Sequence, residues 1–234
     1  YTVIKAENIG GAIIDGEYQW RNFHNSNAWP PKKINYLRIE GIHFRRGSCG
    51  VFNIKGDYNK VIRSGFEDGQ SPTNNNECPI AQIAGGSSYS LVEDSWIWGR
   101  GRIGLYTGSL EGGTNHVIFR RVVVRQDNTP TYYVSAGLLF YNADTNVCQN
   151  CMVIDSNTDP TSYNTGAFET VKYAANTSWL GSIALNNTNW WGFYPQDTSQ
   201  TTIVENTIFW KNGKHGFGVE ANSGGTFNVN HITS

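Results

Sequence analysis

The chain has 234 residues, 18 basic and 19 acidic side chains and a formal net charge of −1. That balance argues against nucleic acid or an anionic membrane as the main partner, and no run approaches the roughly 18 apolar residues that a membrane helix needs. Glycine (26), tyrosine (12) and tryptophan (8) are plentiful and methionine occurs once, a composition suited to many tight corners, because glycine and asparagine tolerate left-handed backbone angles.

Residues 1–47 read as an opening coil. Strand patterns at 2–5 and 12–14 precede a polar loop, 18–33, that carries Trp20, Trp29 and Pro30-Pro31. A loop of this length leaves the body on one face; it either carries specificity or packs as a flap over the first coil. The chain begins inside a strand-like segment and stops at Ser234 in mid-coil, so a leader, a capping coil and a longer parent chain are expected.

Regular coils begin at 37–44 and continue as one domain through 48–234. The stretch 200–222 shows the unit: a strand up to Val204, a polar corner at Glu205-Asn206, a second strand from Thr207 to Trp210, a turn, and a third strand from Gly216. One such coil cannot bury its own apolar side chains and must stack on copies of itself. Aligned on the first corner, the copies fall at Gly41, Gly65, Asp94, Arg121, Asn150, Ser182, Asn206 and His231. Two residues before each corner stands an apolar residue such as Ile39, Val92, Phe119 or Val204, and three residues after it another, such as Phe44, Ile97 or Phe209. Arg63 and Asp68 break this pattern, so that coil is irregular or its register is displaced. A second column, Gly50, Pro79, Gly104, Gly137, Gly166, Gly192 and Gly216, keeps pace with the first.

With these columns in place, the chain resembles the right-handed parallel β-helices of the pectate-lyase-like superfamily, and its opening 1–16 resembles the first coils of secreted polysaccharide lyases. The resemblance implies an all-β fold, a single right-handed solenoid of about eight to nine coils. It implies little about activity.

Cys49 and Cys78 each sit one residue before the second column, on neighbouring coils. Stacked strands lie about 4.8 Å apart, inside the roughly 4.4–6.8 Å window for a disulfide, so a Cys49–Cys78 bond and an oxidising compartment are predicted; two stacked thiols are the alternative. Cys148 and Cys151 flank the Asn150 corner and lack a second pair at zinc spacing, leaving a cross-corner disulfide or a buried thiol pair. Asn176-Thr-Ser and Asn186-Asn-Thr are glycosylation sequons, meaningful in a glycosylating host.

After the second column the residues Val51, Ile80, Leu105, Leu138, Ala167, Phe193 and Phe217 are expected to face the core. The next ones, Phe52, Ala81, Tyr106, Leu139, Phe168, Tyr194 and Gly218, are then expected to face out. An aromatic outer column requires a cover: loops of the same chain, another subunit or a bound glycan. Glu93 and Asp94 should stack on Arg120 and Arg121 as a charge ladder. Arg100, Arg102 and Arg125 are candidates for a cationic rim that meets uronate or sulfate groups. Arg125, Glu169 and Lys172 are the weak catalytic candidates, with Asp144 near them. Asn157-Thr-Asp159 and Lys214-His215-Gly216 only partly match galacturonan hydrolase motifs. No acidic cluster suggests a metal site, although a lyase could use Ca²⁺. The expected function is a secreted or cell-surface, non-catalytic structural or adhesive module. It would bind a polysaccharide or protein subunit, with end-to-end or lateral assembly in view because open coil ends invite stacking. The alternative is a lyase or hydrolase acting on an acidic polysaccharide.

Overall fold

The computed structural model describes residues 1–24, 32–70, 78–109, 112–127, 135–157, 165–196, 201–218 and 225–234. Trp29, Pro30, Pro31 and Asp159, with much of the loops expected at 18–33 and 155–164, lie outside those residues. The described chain is a right-handed parallel β-helix. Its three long sheets have nine, eight and seven strands, here called A, B and C. Strands such as Leu37–Glu40 in A, Ile42–Arg45 in B and Phe52–Ile54 in C follow one another within a coil, and each pairs with its equivalent one coil away. Seven coils contribute to all three sheets, so the expected count of eight to nine is slightly high for complete turns.

The corner between sheets A and B explains the period. Gly41, Arg63, Asp94, Arg121, Asn150, Gly181, Asn206 and His231 all adopt positive φ, between 50° and 73°. One left-handed residue turns the chain sharply while leaving its amide in the ladder. Asn150 N–H donates to Leu180 O at 2.8 Å, and Arg121 N–H to Gln149 O at 2.9 Å. The residue after the corner points inward, and where it is Ser, Thr or Cys it bonds to backbone. Ser95 Oγ donates to Glu93 O at 2.8 Å, Ser182 Oγ to Leu180 O at 3.1 Å and Thr207 Oγ to Glu205 O at 2.9 Å.

Two corners differ from expectation. Arg63 and Gly181, rather than Gly65 and Ser182, hold the left-handed positions. This removes the exceptions at Arg63 and Asp68: Val61 and Phe66 fill the inward columns. Gly65 serves another purpose, because a Cβ there would stand 2.6 Å from the Trp96 indole nitrogen. The charge ladder forms as expected, with Arg120 Nε and Arg121 Nη2 each 2.5 Å from Glu93 and Arg121 Nε 2.5 Å from Asp94. It is half-exposed and worth a fraction of a kcal/mol per pair, so its role is structural.

Sheet C corrects a larger displacement. Phe52, Ala81, Leu105, Leu138, Phe168 and Phe193 form one column. Phe52 and Phe168, expected outside, are therefore core residues, 2 % and 0 % exposed. The expected columns were one residue early in the coils that begin with Gly50, Pro79 and Gly166. A one-residue slip moves each side chain to the opposite face. The row Val51, Ile80, Gly104, Gly137, Ala167 and Gly192 lies at a bend, where its residues and the column after them both turn toward the core. At Gly104 a Cβ would meet Gly137 O at 2.5 Å and Val124 Cγ1 at 2.6 Å, so glycine permits the bend.

Both cysteine pairs resolve. Cys49 and Cys78 were displaced by the same single residue, so their neighbour relation survived, and they form a disulfide with a Cα separation of 5.1 Å. Cys148 and Cys151 are buried free thiols. Cys148 lies in the inward column of sheet A between Phe119 and Trp179. Cys151 takes the place that Ser95, Ser182 and Thr207 take at other corners, its Sγ donating to Phe119 O and Gln149 O at 3.5 Å. Burial and contact with Cys151 push the Cys148 thiol up.

Core side chains compensate in size within a coil. Trp179 of sheet A shares its coil with Ala184 of sheet B, whereas Val61 shares its coil with Phe66. Trp179 is fully buried, its ring 4.5 Å from Phe140 and 5.2 Å from Phe168. Trp179→Ala empties the widest point of the core and is expected to destabilise by about 3–5 kcal/mol. Urea unfolding followed by circular dichroism checks this: the midpoint should fall with little change in slope, and an unchanged midpoint would contradict the packing.

Candidate functional site

The outer face of sheet C holds the candidate site. Its central outward row is Asn53, Gln82, Tyr106, Leu139, Glu169 and Tyr194. Ile103 and Ala136 flank it on one side, Tyr141, Val171 and Gln196 on the other. Ile103, Ala136, Leu139 and Val171 pack as an apolar cluster separate from the core, with Tyr106 and Tyr141 against it. Over this floor lies a cleft of about 540 Å³ lined by Gln82, Arg102, Tyr106, Tyr141, Lys172 and Gln196, among others. A second hollow of about 210 Å³ continues it past Pro79 and Gln82 to Asn53, His24 and Arg21.

Polar side chains along the row are held in place. Asn53 Nδ2 donates to Gln82 Oε1 at 2.6 Å, and Gln82 Nε2 to Gly108 O at 2.9 Å. The Tyr106 and Tyr141 rings meet edge to face, centroids 6.1 Å apart. Burial, with some help from Tyr141, raises the Tyr106 hydroxyl to about 12, so it keeps its proton at neutral pH. Burial and the nearby Arg21 lower His24 to about 4, leaving it neutral under the same conditions.

The expected site residues divide. Arg102, Lys172, Tyr106 and Leu139 line the cleft. Tyr194 stands in the same row but is 7 % exposed. Arg100 lies at the B-to-C corner, its amide donating to Asp68 Oδ1 at 2.9 Å, away from the cleft lining. Arg125 faces outward on sheet B, paired with Asp127 at 2.8 Å. It therefore joins neither the cationic rim nor Glu169 and Lys172. Asp144 is exposed beside Thr145 and Asn176. His215 stacks against Trp191, ring centroids 4.7 Å apart. Gln82, Gln196, Tyr141, Ile103 and Val171 were not foreseen, because only the strand register brings them together.

Glu169 is the unusual group. It is 0 % exposed, and neither carboxyl oxygen has a hydrogen-bond partner among the described residues. Burial drives it well above the ordinary glutamate value, outweighing the opposite pull of the neighbouring Gly166 backbone and of Arg102 and Lys214. Burial likewise lowers Lys214, with Glu169 opposing. Among the described residues no three acidic, histidine or cysteine side chains converge.

No protein-family model matches the chain, and no curated protein matches it in sequence. Among solved structures, the surface adhesin PfbA of Streptococcus pneumoniae is similar at a TM-score of 0.59 and 11 % identity, over 100 % of this chain and 70 % of that one. An alginate lyase from a Paenibacillus species is similar at a TM-score of 0.46 and 11 % identity, over 86 % of this chain and 74 % of that one. At 11 % identity the likeness to the adhesin is one of fold.

Because the folded state raises Glu169, its contribution is most favourable below the ordinary value of 4.5 and is lost as pH rises toward the folded value. Glu169→Gln removes that titration. Its stability relative to the parent should climb by about 1.4 kcal/mol per pH unit between the ordinary value and the folded one, and level off beyond it. Thermal melts of both proteins from acid to mildly alkaline pH check this; a difference independent of pH would contradict it.

Proposed function

We propose that this protein is an extracellular, non-catalytic β-helix module that holds an acidic glycan in the outer cleft of sheet C. One observation carries the reading: two tyrosine rings, two glutamine amides and two cations surround a single open cleft of about 540 Å³. Each group has a complementary part of a uronate-containing chain. Tyr106 and Tyr141 offer apolar ring surface to sugar C–H faces. Gln82 and Gln196 offer donors and acceptors to hydroxyls. Arg102 presents a planar fork to a carboxylate or sulfate, and Lys172 a point charge. The Cys49–Cys78 disulfide supports an oxidising, secreted or cell-surface setting, as does the fold shared with a protein described as a surface adhesin.

A lyase is the second reading, supported by Arg102 and Lys172 sharing one cleft. β-Elimination needs a cation to neutralise the uronate carboxylate and a base for the adjacent proton. Tyr106, held protonated, is poorly suited to be that base, and Glu169 is fully buried, where burial favours its protonated form. These two groups weigh toward binding without turnover.

Titrating the protein with alginate and polygalacturonate oligomers, while following absorbance of unsaturated products, separates the readings. Binding without absorbance growth is expected, and Arg102→Ala should weaken it by about tenfold or more, the scale of one lost charge-assisted hydrogen bond. Product release abolished by Lys172→Ala would establish the lyase instead. No binding to any polyuronate would overturn the glycan reading.

A further inference from the structure

The outer face of sheet B carries a second pattern that the cleft does not use. Across four successive coils one outward column reads Val123, Met152, Ile183 and Ile208. The next outward column enters these four coils from Trp98 and reads Arg125, Ile154, Leu185 and Trp210. Its ends stay accessible: Trp210 is 50 % exposed, and the side chains of Arg125 and Asp127 are 52 % and 40 % exposed. The middle of the face is apolar. Its first strand runs out through Arg125 to the acid Asp127, and its last through Trp210 to the base Lys211.

This arrangement is its own complement when the order of coils is reversed. A second copy, turned half a revolution about an axis parallel to the strands and midway between the Met152 and Ile183 strands, lays like on like through the centre. Val123 then faces Ile208, Met152 faces Ile183, and Ile154 faces Leu185. At the edge Arg125 lies over the Trp210 ring, a favourable cation–π pair, and Asp127, its own-chain partner, lies one residue beyond the position facing Lys211, within reach of that long side chain. We propose that this face is a two-fold interface between two copies of this chain, stacked sheet to sheet with their coils running in opposite directions.

The geometry is ordinary for stacked sheets. The side-chain rows repeat at the strand spacing of about 4.8 Å, and the two sheets would sit about 10 Å apart. The same patch serves both partners, as a two-fold contact requires. Four strands make the apolar centre about 14 Å long, smaller than what permanent dimers bury. The contact is therefore reversible and concentration-dependent, and the charged ends set its register.

Sedimentation velocity across a concentration series tests it. The chain should pass from monomer to dimer as concentration rises, and Ile183→Arg should hold it monomeric throughout. Lys211→Asp should weaken the dimer by about tenfold or more, because the two-fold axis makes like charges of both symmetry-related pairs, and Asp127→Lys combined with Lys211→Asp should recover it. Circular dichroism melts of the same variants show whether each is folded; the exposed charge reversals keep the test available if Ile183→Arg unfolds the chain. A wild-type chain that stays monomeric, a dimer indifferent to Ile183→Arg in its folded form, or a double reversal no tighter than the single one would overturn the proposal.

Discussion

The fold depends on a hydrogen bond made at a bend. At each corner between sheets A and B one residue adopts a left-handed backbone, and its amide still donates to the carbonyl of the next coil. An ordinary turn would take that amide out of the ladder and leave a buried donor unmatched, at a cost of about 1–3 kcal/mol. Left-handed angles cost L-residues roughly 1–2 kcal/mol, so asparagine, aspartate and glycine suit most of these positions, and arginine and histidine occupy the rest. The corner before sheet A meets the same demand differently. Tyr36, Tyr58, Tyr89 and His116 are all left-handed there, and their rings stack at 5.0, 5.0 and 4.8 Å. Each stacked pair recovers about 0.5–1.5 kcal/mol, comparable to the strain.

Fixed corners keep the sheets in register, and register decides what each face presents. In sheet C the bend at Gly104 and Gly137 lets two successive residues face the core. The residues on either side then point outward and build an apolar floor beneath Arg102 and Lys172. In sheet B simple alternation holds, with every second residue turned outward. One solenoid thus carries a cleft over sheet C and, across four coils, an apolar outer surface on sheet B. Glu169 stands in the outward row of sheet C as a fully buried carboxyl, neither of whose oxygens has a hydrogen-bond partner among the described residues.

Much of this is legible in the sequence, and the failures have physical causes. The Asp94, Arg121, Asn150 and Asn206 corners could be found because apolar residues stand at fixed offsets around them. Gly65 misled because glycine suggests a turn, whereas here it makes room for the Trp96 indole. Val51, Ile80 and Ala167 occupy a row that other coils fill with glycine, so matching glycines shifted three strands by one residue and turned Phe52 and Phe168 outward. Neighbour relations survive such a shift when both partners share it, which is why the Cys49–Cys78 bond was foreseen. The cleft was only partly visible, through Arg102, Tyr106, Leu139 and Lys172. Asn53 and Gln82, polar residues between apolar ones on two strands, were the available signal for the rest.

Amide hydrogen exchange resolved to single residues tests the central claim most directly. If left-handed corner residues hold the coils together, the amides of Asp94, Arg121, Asn150 and Asn206 should exchange as slowly as those of the adjoining strands, although their side chains lie at the surface. Exchange at these four positions as fast as in an unstructured peptide would contradict the account, because the coils would then be joined by their strands alone.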